Sequence, residues 1–497
     1  LLPSRTSFLR RVARAEGIRL GDAGIEIEWA CARMIGPAGY GAEAARAGRR
    51  PVASPDQIAE LYRSYEAAKR RKRVVDFDDI LRMVVHTLET QPERARVLRW
   101  RFRHFFVDEF QDVNPLQFRL LEAWLGDRDD LCVVGDPHQA IYRWNGADAG
   151  FLNDFEAVFP GSTTVSLDRN YRSSAGVLAV ARAVLPAPDA PEVMAAPGPV
   201  PAVWQFATST DEAEAIAAHL RAERQAGIAW GRHGVLVRTH GQAAVIGEAL
   251  AAADIPYRIR GTTGSTNRSE IKELLEKLPA DTPLHVALVD WTTEEREGRG
   301  GPALEALARL GGEFRAMQPD AGMDEFVTWV TAMVPDDRDD ADDRVDVATL
   351  HAAKGLEWDT VVLAGLEEGL VPISHAETGA ELAEEQRLLY VGVTRARRML
   401  ICSWAAERRF GSRNSRREPS RWLAAIQRTV DDMHHEEQPV AKPHDVIDLR
   451  RPAPTRSEQL RHRLDAWRAS TARRSSARPA AILSDHMLTR VAEEAPL

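Results

Sequence analysis

The amino-acid sequence predicts an α/β protein built on parallel sheets with helices packed on their faces. Three observations carry this prediction. From about residue 100 onward, short apolar runs alternate with amphipathic stretches. Most of these runs end at a cluster of polar residues or glycines, the place where open α/β sheets bind ligands. At 497 residues and 44% apolar content, the chain is long enough for several packed domains, since single cores seldom grow beyond roughly 250–300 residues. The candidate buried strands are residues 104–107, 131–134, 234–237, 360–364 and 398–404.

Around this alternation lie segments of another character. Residues 1–70 are rich in Ala and Arg and read as a helical subdomain without a catalytic pattern. Between residues 261 and 344 the strand signal fades into helical stretches such as 269–278, and the segment closes in the acidic run 336–343, which reads as a second insertion ending in a solvated linker. After Trp422 the apolar content drops, and the Pro-, Arg- and Asp-rich residues 438–457 form a linker. Helical spacing returns at 460–469 and 484–492, on either side of the Arg/Ser-rich stretch 473–478.

No apolar run approaches the roughly 20 residues of a membrane span, and the start of the chain lacks a signal-peptide pattern, so a cytoplasmic protein without a membrane partner is expected. The cysteines Cys31, Cys132 and Cys402 are too far apart for a Cys-x-x-Cys metal site and odd in number. Cys132 and Cys402 sit in apolar strand-like runs and are expected in the core. The net charge of −9 does not exclude DNA, because a local basic face can bind phosphate on an acidic protein.

The chemistry concentrates at two strand ends. Phe105-Phe106-Val107 delivers Asp108, Glu109, Gln111 and Asp112 into a loop. One carboxylate at such a point can hold Mg²⁺ while its neighbour orients or deprotonates an attacking water, although an acidic pair alone is common at loop starts. The second strand, residues 131–134, runs into Gly135-Asp136-Pro137-His138-Gln139-Ala140-Ile141-Tyr142-Arg143-Trp144-Asn145-Gly146. Gln139 could bond a γ-phosphate, and Tyr142 and Trp144 offer flat faces on which unpaired bases stack, unless they are simply core aromatics.

In this order the two segments resemble motifs II and III of superfamily 1 helicases of the UvrD/Rep/PcrA family. The resemblance extends over residues 75–405. Val75-Asp76-Phe77-Asp78-Asp79-Ile80-Leu81 looks like the family's Asp-Phe-Asp-Asp segment, and Leu167-Asp168-Arg169-Asn170-Tyr171-Arg172-Ser173-Ser174 is similar to motif IV. Val347-Ala348-Thr349-Leu350-His351-Ala352-Ala353-Lys354-Gly355-Leu356-Glu357-Trp358 is similar to motif V, and Tyr390-Val391-Gly392-Val393-Thr394-Arg395-Ala396 to motif VI. Residues 464–468 and 482–488 resemble the first helices of an HRDC domain.

The resemblance implies two RecA-like parallel-sheet motor domains with helical insertions. It divides the chain into a helical insertion subdomain of the first motor at 1–70, the first motor at 71–164, the second motor at 165–260 and 345–430, a short helical insertion at 261–344, a linker at 431–458 and an incomplete HRDC-like domain at 459–497. It further implies an ATP- and Mg²⁺-dependent 3′-to-5′ DNA helicase in repair or replication, acting on single strands and duplex junctions and meeting repair or replication proteins. Asp108 would hold the metal, Glu109 the water, and Gln139, Arg172 and Arg395 the γ-phosphate charge. Tyr171 would stack on the base and Glu357 would contact the ribose, with Gln111 also at the nucleotide. Tyr142, Trp144, Thr349 and His351 would serve DNA.

One feature of the family is missing. A Gly-rich loop ending in Gly-Lys-Ser/Thr grips the phosphates in such motors, yet none of the six lysines, Lys69, Lys72, Lys272, Lys277, Lys354 and Lys442, follows a glycine. With Leu1 at the first position, the loop is expected upstream and the sequence is expected to be a fragment without ATPase or unwinding activity of its own. A non-catalytic helicase-like DNA-binding or regulatory protein is the competing expectation. Asn145 also stands where the family often has an arginine.

Overall fold

The computed structural model describes residues 20–51, 53–186, 192–260, 283–296, 302–317, 343–410 and 413–437, with scattered residues elsewhere. Two compact units divide the chain at His434. Almost all of the second, residues 435–497, lies outside the described residues, and with it the HRDC resemblance and the linker. Most of the 269–278 helical stretch and the acidic run 336–343 lie outside them too.

The first unit begins with helices Leu20–Ala32, Tyr40–Arg46 and Pro55–Lys72, as the composition of residues 1–70 predicts. They close over Ile27, Tyr40, Tyr62 and Tyr65. The Asp-Phe-Asp-Asp segment then starts helix Phe77–Thr90 as a capping box, with Asp76 as N-cap and Asp79 three residues later. Asp76 also ties this helix to helix Pro55–Lys72: its Oδ2 accepts from Tyr65 Oη at 2.6 Å and Lys69 Nζ at 2.9 Å. Burial alone would raise this carboxyl, but those bonds hold it well below the ordinary carboxylate range.

After these helices, β1 (Phe105–Val107) pairs parallel with β2 (Leu131–Val133). Phe110, Phe118 and Leu121 pack under one face. On the other face Phe106, 81% exposed, stands beside Cys132, its register partner. Cys132 is therefore exposed, against the expectation of a core residue, because the pleat puts alternate residues on opposite faces and its own face is open. Cys402 is fully buried as expected.

The larger sheet has seven strands. The short pair β3 (Arg169–Asn170) and β4 (Glu192–Val193) precedes it. Its strands are β5 (Ala202–Thr208), β6 (His233–Val237), β7 (Tyr257–Arg260), β8 (Val345–Thr349), β9 (Trp358–Leu363), β10 (Ala396–Phe410) and β11 (Arg413–Arg416). The order is β11-β10-β9-β6-β8-β7, with β5 also on β10, and only β11 runs antiparallel.

β6 and β8 are buried along their whole length, which accounts for the apolar run 234–237 in β6. Gly234 is required in β6 because Trp358 packs on it: a Cβ there would come within 2.6 Å of the indole. Helices Ser209–Gln225, His240–Ala252, Leu284–Arg296 and Pro302–Met317 contribute to the core on one side of the sheet, and Ala175–Val184, Gly379–Val393 and Leu423–Glu437 to the other.

Candidate nucleotide and nucleic-acid site

The loop after β1 is shaped by one strained residue. Glu109 has φ +51°, in the left-handed region that is uncommon for non-glycine residues. Its amide donates to Asp108 Oδ1 at 2.8 Å, and the next amide, Phe110, donates to the Val134 carbonyl at 2.9 Å. The bend turns the carboxylates of Asp108 and Glu109 away from the strand. Both line a cavity of about 460 Å³ with Phe105, Val107, Leu121 and Trp124.

Gln111 is buried and spans the two strand ends. Its Nε2 donates to Glu109 Oε2 at 2.5 Å and its Oε1 accepts the Asp136 amide at 3.0 Å. Both ends of the Gln111 amide are engaged, linking Glu109 to the loop after β2. Asp136 in turn orients Gln139, accepting its Nε2 at 2.9 Å. That leaves Gln139 Oε1 to accept from Arg395 Nη2 at 3.1 Å, so the donor and acceptor ends of the amide are fixed by their partners.

Arg395 reaches this point from the position just before β10 of the seven-stranded sheet. It is buried, with Nε on the Val391 carbonyl at 3.0 Å and Nη1 on that of Leu356 at 3.3 Å. Burial, and then the like charge of Arg172, pull its pKa down to about 10. Two guanidinium groups whose like charges act on each other, with Glu357 paired to Arg172 at 2.7 Å, form a site that fits a polyphosphate.

Arg172 belongs to a tight turn in which Asn170 Oδ1 accepts the amides of Arg172 and Ser173 at 3.0 and 2.9 Å. Ser173 Oγ then bonds the Ala396 carbonyl at 2.8 Å and fastens the turn to the start of β10. Glu357 lies between Arg172, at 2.7 Å, and Arg397, at 3.4 Å. Tyr171 is 67% exposed beside them, its ring free of packing that would bar a base. The structure thus brings Gln139, Arg172, Arg395 and Glu357 together.

A contact that the sequence did not suggest closes the same cleft. Lys354 Nζ donates to Asp112 Oδ2 at 2.5 Å and to the Gln139 carbonyl at 2.7 Å, with Glu109 Oε2 at 3.6 Å. Lys354 and Asp112 sit within the recognised motifs, but nothing in their spacing pairs them.

The residues expected on DNA divide. Trp144 is 41% exposed with its ring edge-on to His351. Tyr142 differs from the expected platform: it is half-buried, the Lys354 ammonium lies 5.3 Å from its ring centroid, and its hydroxyl meets the His351 carbonyl at 3.5 Å. Thr349 is buried, and its hydroxyl accepts the Ala352 amide at 3.2 Å, holding the turn after β8. Burial, then the nearby Arg238, lowers His351 to about 4, so it is neutral at pH 7. Asn145, the departure from the family, hydrogen-bonds Glu28 and so faces the helical subdomain.

Comparison with known proteins agrees with this geometry. The UvrD/REP helicase N-terminal domain matches residues 40–160, and the UvrD-like helicase C-terminal domain matches 165–280 and 295–407. The ATP-dependent DNA helicase UvrD2 of Mycobacterium tuberculosis is 36% identical over 554 aligned residues, covering 100% of this chain and 78% of that protein. The chain belongs to the UvrD-type DNA helicase family. The UvrD2 of Mycobacterium bovis matches equally, and the ATP-dependent DNA helicase PcrA of Leuconostoc citreum is 27% identical over 75% of this chain and 63% of its own length. The mixed α/β architecture with its parallel sheet is that of RecA-like helicase domains. Among the described residues no helix is long and apolar enough to cross a membrane.

Proposed function

We propose that this chain carries the charge-stabilising and water-orienting parts of an ATP-driven motor that moves 3′-to-5′ along single-stranded DNA and opens duplex junctions in DNA repair or replication. The observation that carries the reading is the contact between Arg395 and Gln139, made by side chains from opposite sides of the cleft. An arginine whose charge is disfavoured by burial and by Arg172 gains most when phosphate charge develops beside it.

In this reading residues 71–164 are the first motor, 165–260 and 345–430 the second, and 1–70 and 261–344 their insertions. Asp108, which accepts the neighbouring Glu109 amide through Oδ1, would hold Mg²⁺. The bound metal supplies charge neutralisation on the phosphates. Glu109 would orient the water, Arg172 and Arg395 would stabilise the γ-phosphate, Tyr171 would cover the base and Glu357 would receive the ribose. Phosphate grip remains to be provided, because no Gly-Lys-Ser/Thr occurs in the sequence. The open apolar face around Phe106, next to the Asp108 cavity, is where such an element would seat.

The missing lysine loop is also the one observation that favours a second reading, a non-catalytic helicase-like DNA-binding protein. The intact Asp108, Glu109, Gln139, Arg172 and Arg395 favour the motor. Both readings expect single-strand binding. They part when the chain is joined to a segment carrying a phosphate loop: the motor reading expects DNA-stimulated phosphate release lost in Arg395→Ala, and the alternative expects none.

A further inference from the structure

Helix Gly379–Val393 of the second motor lies along the turn that follows β2, and it touches that turn repeatedly. Glu384 Oε1 accepts the Arg143 amide at 3.0 Å and also takes a hydrogen bond from the Trp144 amide. Arg387 Nε donates to the Ala140 carbonyl at 2.8 Å. The Tyr390 ring lies 6.0 Å from that of His138. Just past the helix end, Arg395 meets Gln139. Residues 384, 387, 390 and 391 follow helical spacing, so they project from one face, and the Val391 carbonyl holds Arg395 Nε at 3.0 Å.

The turn therefore carries two groups with different uses on one short piece of backbone: Gln139 toward the phosphate arginines and Trp144 toward the nucleic acid. Trp144 has little to fix its side chain. Its peptide is held instead from two sides, the carbonyl by Arg49 Nη1 of the helical subdomain at 3.2 Å and the amide by Glu384. Arg49 is itself anchored by Glu26, at 2.7 and 2.8 Å, and lies over the Trp29 ring. A carboxylate accepting backbone N–H groups makes the charge-assisted kind of bond, so a loop gripped this way follows the helix that bears the carboxylate.

We propose that Glu384 is the positioning residue for the Trp144 base platform, tying the indole to the helix that delivers Arg395 to Gln139. One rigid element then sets both the phosphate contact and the place of the stacking surface. The proposal rests on the reading of Trp144 as a surface on which a base stacks.

The test is a double-mutant cycle on the 497-residue chain, read as binding of a single-stranded oligonucleotide whose 2-aminopurine fluorescence falls on stacking. Trp144→Ala is expected to weaken binding on the order of tenfold and abolish the fluorescence change. Glu384→Ala is expected to do nearly the same, Glu384→Gln to retain most of the signal through its carbonyl acceptor, and the double variant to bind no more weakly than Trp144→Ala alone. Glu384→Asp, which withdraws the carboxylate by one methylene, guards against an unfolded alanine variant and is expected to weaken binding several-fold. Normal stacking in both Glu384→Ala and Glu384→Asp, or a Glu384 effect that adds fully to that of Trp144→Ala, overturns the positioning role. Normal binding by Trp144→Ala is a different result, since it removes the stacking reading itself.

Discussion

Lys354 and Asp112, on opposite sides of the cleft, form an ion pair at 2.5 Å that joins the end of β8 to the carboxylate loop of β1. Burial raises the Asp112 carboxyl, and Lys354 offsets only part of that rise. The pair thus offsets part of the cost of burying that carboxylate, and it does so within reach of Glu109.

Removing one partner should cost more than removing both. Lys354→Met is expected to destabilise the first unit by about 3 kcal/mol in urea unfolding, because an uncompensated carboxylate stays buried, and Asp112→Asn added to it should recover a large part of the loss. A double variant as unstable as the sum of the two singles would show that the pair is not coupled.

The aromatic pair after β2 should not behave alike. Trp144→Ala is expected to weaken single-strand binding on the order of tenfold by fluorescence anisotropy, whereas Tyr142→Phe, which keeps the ring under Lys354, should leave it nearly unchanged. Equal losses from the two would place Tyr142 in the DNA path.

The strand ends and the loop carboxylates were legible because each is local: apolar runs stop and charged residues begin. The order of motifs carried the rest of the half-site, since Arg172, Glu357 and Arg395 have no local pattern that separates them from surface residues. What stayed hidden is tertiary. Lys354 pairs with a residue 242 positions away. Cys132 looks like core until the face it shares with Phe106 is seen to be open. Thr349 reads as a free hydroxyl until its bond to the Ala352 amide is seen.

Acid should weaken the second motor through His351. Its folded pKa of about 4 lies below the unfolded value near 6.5, so the unfolded chain binds more protons between them. The stability is present in full above the unfolded pKa and is lost as pH falls toward the folded one, by up to roughly 3 kcal/mol. Thermal unfolding followed from pH 7 to pH 4.5 should show a smaller drop in His351→Gln. An identical drop in both proteins would assign the acid sensitivity elsewhere.

Phosphate release by the 497-residue chain, with saturating single-stranded DNA and with Glu109→Gln as control, tests the division of labour most directly. If Asp108, Glu109, Gln139, Arg172 and Arg395 depend on a separate phosphate-gripping lysine loop, release stays at background with or without DNA. DNA-stimulated release that disappears in Glu109→Gln would contradict this, showing that the chain grips and cleaves ATP with the residues it already has.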